Sequence, residues 1–275
     1  MSMYIKTREE INLYCKTWGE GRPVILIHGW PLSADSWDDV AVPIVEAGFK
    51  VIAYDRRGFG RSEQPWSGYD YDTLTDDLKD IMDAHQVKDA TIVGFSMGGG
   101  EVARYMSRYK GENVSQAILI SSIVPYMLKT DDNPNGVPQE VFDEMAEGMK
   151  KDRAAFFNNF FDDFYGVGNI SKEVSKEKRE WSRKVAMDAS LKATLACAES
   201  FATTDFRPDL PSFKVPTLVI HGEKDQTVPI ETSGKPAAEK IENAELITYP
   251  DGPHGVFASH KEELIKDVIN FLKKV

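Results

Sequence analysis

Apolar positions recur along this chain in two alternating rhythms. Short runs rich in β-branched and aromatic residues, "MYIKT", "INLYCKTW", "PVILIHG", "FKVIAYD", "ATIVGF", "QAILISS", "PTLVIHG" and "AELITYP", read as eight strands. The first two alternate polar and apolar residues across a short polar link, as an antiparallel hairpin does. The later ones are continuously apolar, the pattern of parallel strands buried on both faces. Between them, residues 36–47, 72–86, 97–109, 232–241 and 261–274 carry apolar residues at helical spacing, with charge on the opposite side. Strand and helix alternate, which predicts an α/β fold: an eight-stranded, mostly parallel, doubly wound sheet with helices on both faces.

The rhythm breaks between residues 122 and 200. There "MAEGMKKDRAAFFNNFFDDFYGVGNI" offers helical pieces rich in Phe and Met but no strand, and "TDDNPNGVP" at 130–138 reads as a turn-rich hinge. The expected organisation is a core built from residues 1–121 and 201–275, with a helical cap at 122–200 inserted in it. At 275 residues the chain fits one large core of this kind.

Composition narrows the function classes. Hydrophobic residues make up 41% and charged residues 28%, so a packed globular core is expected. A net charge of −11 repels phosphate backbones and anionic lipid, which argues against nucleic acid and membrane surfaces as partners. The N-terminal stretch "MSMYIKTREEINLY" has charges where an apolar signal core would stand, and no run approaches a membrane span, so the expected location is cytoplasmic. The two cysteines, Cys15 and Cys197, lie far apart without a CxxC partner and read as buried thiols; no metal site is expected.

The chemistry concentrates in "VGFSMGGGE" at 93–101, where "GFSMG" matches G-x-S-x-G. In that turn a strand passes so sharply into a helix that the central side chain stands exposed above the sheet. Gly94 and Gly98 let the turn close, Gly99 and Gly100 permit close helix packing, and "ATIV" and "EVARYMSRY" supply strand and helix. The competing reading, a glycine-rich turn without chemistry, loses ground once that context is counted. Ser96 is therefore the candidate nucleophile.

A serine hydroxyl is a weak nucleophile at neutral pH and needs a base, itself oriented by a carboxylate. Five histidines are available: His28, His85, His221, His254 and His260. His85 at the polar end of a helix and His260 at the start of the last helix read as surface or capping residues. His28 and His221 end apolar strands and read as satisfying turn hydrogen bonds. His254, in "DGPHGV", lies on a loop after the last strand, at the carboxyl edge where open α/β sheets meet ligands, and is the candidate base. Asp225 in "VIHGEKDQTVP" sits just past the end of the preceding strand on the same edge and is the candidate acid, with Asp251 as runner-up; only three residues from His254, Asp251 reads rather as shaping that loop. The oxyanion of a tetrahedral intermediate needs preorganised donors, for which the backbone N–H groups of Met97 and of Trp30 in "HGWPLSADSW" are the candidates.

Pro31 follows Trp30 directly. Proline fixes its own φ and pushes the preceding residue toward extended angles, so Pro31 is expected to aim the Trp30 carbonyl, either toward the acyl carbon, where it would select the incoming nucleophile, or only as part of a stiffened turn. Phe156, Phe157, Phe160, Phe161 and Phe164 read first as the cap's own core, with lining a pocket as the rival reading.

These residues together resemble the α/β-hydrolase fold family over the whole chain, and within it the bacterial branch of metal-free haloperoxidases and aryl esterases. The resemblance rests on "HGWPLSADSW", "YDRRGFGRS", "GFSMGGGEVARY", "DFRPDLPSFKVPTLVIHGEKDQTVPIE" and "PHG" in the family's order. It implies a Ser96, Asp225, His254 triad, a Trp30 and Met97 oxyanion hole, and a helical cap over a small, largely apolar acyl pocket. It also implies no metal and no organic cofactor, with a small ester, or a carboxylic acid plus hydrogen peroxide, as partners. The branch often forms homo-oligomers, and the resemblance allows one here. "DRRGFGRS" is expected to act structurally, its arginines pairing with carboxylates. One acyl-enzyme serves two activities: water opens it in ester hydrolysis, and hydrogen peroxide opens it to a peracid that oxidises halide. Lactone or small-amide hydrolysis on the same triad, and a non-catalytic ligand-binding role, are the alternatives. Haloalkane dehalogenation needs a carboxylate nucleophile, against which Ser96 argues.

Overall fold

A computed structural model describes residues 3–275. All eight expected strands form: β1 (Tyr4–Lys6), β2 (Asn12–Trp18), β3 (Pro23–Ile27), β4 (Lys50–Tyr54), β5 (Ala90–Phe95), β6 (Val114–Ile120), β7 (Thr217–Gly222) and β8 (Ala244–Tyr249). They make one sheet in the order β1-β2-β4-β3-β5-β6-β7-β8. β1 pairs antiparallel with β2 and β2 antiparallel with β4, while every pair from β3 onward is parallel. The periodicity explains the division. β2, in the antiparallel part of the sheet, alternates buried with more exposed residues because one of its faces is open, whereas every residue of β5 and β7 is buried between helices. Each buried Ile, Leu or Val of these strands contributes roughly 1.5–3 kcal/mol.

The helices are α1 (Asp38–Glu46), α2 (Tyr71–Ala84), α3 (Gly98–Arg108), α4 (Gln139–Phe164), α5 (Lys176–Asp188), α6 (Leu191–Thr203), α7 (Gly234–Lys240), α8 (Val256–Ser259) and α9 (Lys261–Leu272). Local chemistry sets several starts: Asp70 accepts from the Thr73 N–H at 2.9 Å ahead of α2, and Ser190 from the Ala193 N–H at 2.9 Å ahead of α6. Between β6 and β7 there is no strand; α4, α5 and α6 fill the interval, and α6 runs on to Thr203. α4 is interrupted at Asp152, whose backbone is extended and whose carboxylate accepts from the Ala155 N–H to start the second half. Among the described residues no helix is long and apolar enough to cross a membrane.

Two sequence expectations need correction here. His85, read as a surface or capping residue, is buried at the carboxyl end of α2 with neither ring nitrogen paired among the described residues. His260 stands at the start of α9 but makes no side-chain cap; its buried ring stacks on Tyr249 at 5.2 Å. Cys15 and Cys197 are buried thiols as expected, and burial pushes both up to about 12.

Candidate active site

Three loops at the carboxyl edge of the sheet converge on one point. After β5 the chain turns at Ser96, whose φ of +53° is the left-handed conformation that non-glycine residues rarely adopt. The turn closes only because its neighbours are glycine. A Cβ on Gly94 would lie 2.4 Å from the Gly98 carbonyl oxygen, and one on Gly98 would lie 2.6 Å from that of Ile27. The Ser96 N–H donates to the Ile120 carbonyl at 2.9 Å, anchoring the strained residue to β6.

Ser96 Oγ donates to His254 Nε2 at 2.9 Å, and His254 Nδ1 donates to Asp225 Oδ2 at 2.7 Å. The other Asp225 oxygen accepts from the Val228 N–H at 2.7 Å and the Thr227 N–H at 3.0 Å. Burial by itself would push the Asp225 carboxyl up, but the facing His254 and His221 imidazoles outweigh it and hold it at about 2. Asp225 is thus an anion that holds the His254 ring through Nδ1 and turns its Nε2 toward the serine. Phe164 meets the His254 ring edge-on at 4.8 Å and Phe95 lies 5.1 Å from it, so the imidazole is clamped by aromatic walls. Asp251 takes no part: it accepts from the Ser171 N–H at 2.6 Å and ties two loops together, as expected.

The loop carrying Trp30 is held from below. Arg56, just after β4, donates its N–H to His28 Nε2 at 3.0 Å and its guanidinium to the His28 carbonyl at 2.7 Å. His28 therefore carries its proton on Nδ1, 2.9 Å from the Gly29 carbonyl, and burial together with Arg56 keeps the ring well below the usual imidazole range. Asp55 accepts from the Ala34 N–H at 2.8 Å at the far end of the same loop. The remaining arginines of "DRRGFGRS" behave as expected, Arg57 pairing with Asp77 and Glu9 and Arg61 with Asp55 and Asp35. The backbone N–H groups of Trp30 and Met97 have no acceptor among the described residues, and Met97 immediately precedes the first turn of α3. The Trp30–Pro31 peptide bond is cis.

Ser96 and His254 open into a cavity of about 310 Å³ whose wall is mainly apolar: Trp30, Ile123, Met127, Val137, Val141, Phe142, Met145, Phe156, Phe160, Phe201 and Val228, with Asn159, Asp163, Gln226 and Thr227 as its polar part. The five phenylalanines of α4 divide between both readings. Phe157, Phe161 and Phe164 are buried packing residues, whereas Phe156 and Phe160 are half-buried and face the cavity beside Trp30, whose indole each meets edge-on. Helical spacing sorts them into two stripes, Phe156 with Phe160 and Phe157 with Phe161 and Phe164, but does not say which stripe meets the cavity, since that depends on how the second half of α4 packs against the rest of the fold. The Trp30 indole donates to the Thr194 carbonyl at 3.0 Å, fixing the oxyanion loop to α6. The sequence offered no signal for Thr194, since its contribution is a backbone carbonyl.

The profile of the alpha/beta hydrolase fold matches residues 22–261. This chain belongs to that family. As an α/β hydrolase it is 41% identical to the non-heme chloroperoxidase CPO-A1 of Kitasatospora aureofaciens over 98% of both chains. It is equally 41% identical to the bifunctional esterase/perhydrolase DCH of Acinetobacter calcoaceticus, over 98% of this chain and 99% of the relative. Among solved structures, a bromoperoxidase from Bacillus anthracis superposes with a TM-score of 0.96 at 43% identity and 99% coverage of each chain. The mostly parallel eight-stranded sheet of this hydrolase is the architecture that the resemblance implied.

Proposed function

We propose that this chain is a serine hydrolase that opens small carboxylic esters through an acyl-enzyme on Ser96, and that hydrogen peroxide, taking the place of water, yields a peracid that oxidises halide. One observation carries the reading: the unbroken line of hydrogen bonds from Ser96 through His254 to the anionic Asp225, opening into an apolar cavity. The names of the relatives, a non-heme chloroperoxidase and a bifunctional esterase/perhydrolase, support both halves of it.

In this reading Ser96 Oγ attacks the ester carbonyl while its proton passes to His254 Nε2. Asp225 stabilises the imidazolium so formed. The carbonyl oxygen, now an anion, is received by the N–H groups of Trp30 and Met97, and loss of one such donor typically costs on the order of 10²–10³ in rate. The imidazolium then returns its proton to the departing alcohol. In the second half His254 takes a proton from water or hydrogen peroxide, whose oxygen attacks the acyl carbon; the bond to Ser96 Oγ then breaks, His254 returns the proton to Oγ, and the carboxylic acid or peracid departs. The peracid transfers one oxygen to halide, giving hypohalite and the acid; where that acid in turn acylates Ser96 with loss of water it is regenerated, and only peroxide and halide are consumed.

Residues 122–200 act as a cap that bounds the acyl group, with Phe156 and Phe160 limiting its length. Pro31 is assigned the orientation of the Trp30 carbonyl. The reaction asks for no cofactor, and we place the protein in the cytoplasm, as a homo-oligomer or a single chain. A panel of p-nitrophenyl esters from acetyl upward tests the reading: turnover should be highest for short acyl groups and should vanish in Ser96→Ala. Absence of turnover across the panel, or its survival in that variant, would overturn it.

A further inference from the structure

His221 ends β7 and is fully buried. Its Nε2 lies 2.9 Å from the Val228 carbonyl oxygen and 3.2 Å from Asp225 Oδ2, the same carboxylate oxygen that receives His254. Two acceptors on one nitrogen require that nitrogen to carry the proton. Its Nδ1 has no partner among the described residues and faces the backbone of Gly234 so closely that a Cβ there would lie 2.7 Å from it. An N–H on Nδ1 would be buried without an acceptor, so the ring turns its Nε2–H toward the two oxygens.

We propose that His221 is a positioning residue for the Asp225–His254 pair. This inference rests on the triad reading given above. Asp225 carries a full charge out of water, and its Oδ1 is satisfied by the Thr227 and Val228 N–H groups. Oδ2 has only His254 on one side; the N–H edge of His221 is the second positive edge beside it. The same ring holds the Val228 carbonyl while the Val228 N–H holds Asp225, so His221 fixes the 225–228 turn from both ends. Gly234, at the start of α7, is the complement of this arrangement, since any side chain there would displace the imidazole. The groups facing His221 that carry or share charge are Asp225 and, across that carboxylate, His254.

The test compares His221→Leu, His221→Gln and Gly234→Ala with the unaltered protein on p-nitrophenyl acetate, with Ser96→Ala as the control. His221→Leu should lower kcat by roughly 10- to 100-fold, the range expected from losing one polar contact to a buried charge, with KM nearly unchanged and a lowered thermal midpoint, because the Val228 carbonyl loses its donor. His221→Gln, whose amide N–H reaches similarly far, should recover most of that loss, and Gly234→Ala should lower kcat several-fold by moving the ring. A purely structural His221 would shift the thermal midpoint without the split between kcat and KM or the rescue by Gln. A kcat within about twofold of the unaltered protein in His221→Leu, while Ser96→Ala is dead, overturns this inference alone; high turnover in Ser96→Ala overturns it together with the triad. Should His221→Leu fail to fold, Gly234→Ala decides, and an unchanged kcat there overturns the proposal.

Discussion

Arg56 Nε donates to Glu101 Oε1 at 2.7 Å, joining the loop after β4 to the helix that follows the Ser96 turn, and neither side chain is more than 1% exposed. Tyr54 donates to the other Glu101 oxygen at 2.6 Å, so both oxygens of the carboxylate are occupied. Because Arg56 also holds His28, the pair couples the oxyanion loop to the nucleophile's helix. Removing one partner leaves a buried charge uncompensated. Glu101→Ala is therefore expected to cost about 3–5 kcal/mol, read from urea denaturation. A loss below about 1 kcal/mol would mean that Arg56 finds solvent or another acceptor.

Ser96→Ala and His254→Ala are each expected to reduce ester turnover by several orders of magnitude, on the order of the 10⁶-fold known for residues that act as a unit. Folding should survive both. Initial rates on p-nitrophenyl acetate, in preparations free of contaminating esterase, decide; retention of more than a few per cent of activity removes that residue from the assignment.

Asp225 lies at about 2 against an ordinary carboxylate value of 3.8, so its folded-state pKa is depressed. Its contribution to stability is fully present above the ordinary value and is lost as pH falls toward 2. Asp225→Asn lacks that dependence. Urea midpoints measured between about pH 5 and pH 2 should show the advantage of the unaltered protein over Asp225→Asn shrinking as the solution is acidified. A constant gap would count against the depressed carboxyl.

Halogenation is expected to require hydrogen peroxide together with a short carboxylic acid, and to be indifferent to EDTA, because the oxidant arises from an acyl-serine. Halogenation of a chromogenic diketone in acetate and in phosphate, each with and without chelator, measures this. Activity in carboxylate-free phosphate, or its loss with chelator, contradicts the peracid route.

Pro31→Leu is expected to lower the ratio of perhydrolysis to hydrolysis with little change in fold or ester KM. In the proposed role, Pro31 aims the Trp30 carbonyl so that it would accept one hydrogen bond from an incoming hydroperoxide, worth about 1 kcal/mol and hence a several-fold ratio. Both rates on one acyl donor give the answer: an unaltered ratio, or equal loss of both activities, assigns Pro31 to structure alone.

What the chain determines without its tertiary structure is whatever depends on near neighbours. Alternation in "INLYCKTW" against continuous apolarity in "ATIVGF" distinguishes the half-exposed antiparallel part of the sheet from its buried parallel centre, and Gly94 and Gly98 around Ser96 announce a turn too tight for side chains. The order Ser96, Asp225, His254 follows from the placement of each residue at the end of a strand or on the loop after one, since parallel strands bring their carboxyl ends to one edge. Burial and contact across long separations belong to the folded chain alone. Nothing near His85 predicts that its ring is enclosed, nothing in α4 predicts that Phe160 faces the cavity while Phe161 packs away from it, and "VIHGEKD" does not reveal that His221 shares an oxygen of Asp225 with a histidine 29 residues beyond that carboxylate. Local pattern fixes which face of an element is apolar; which surface that face meets depends on how distant elements pack, and no short window of sequence contains it.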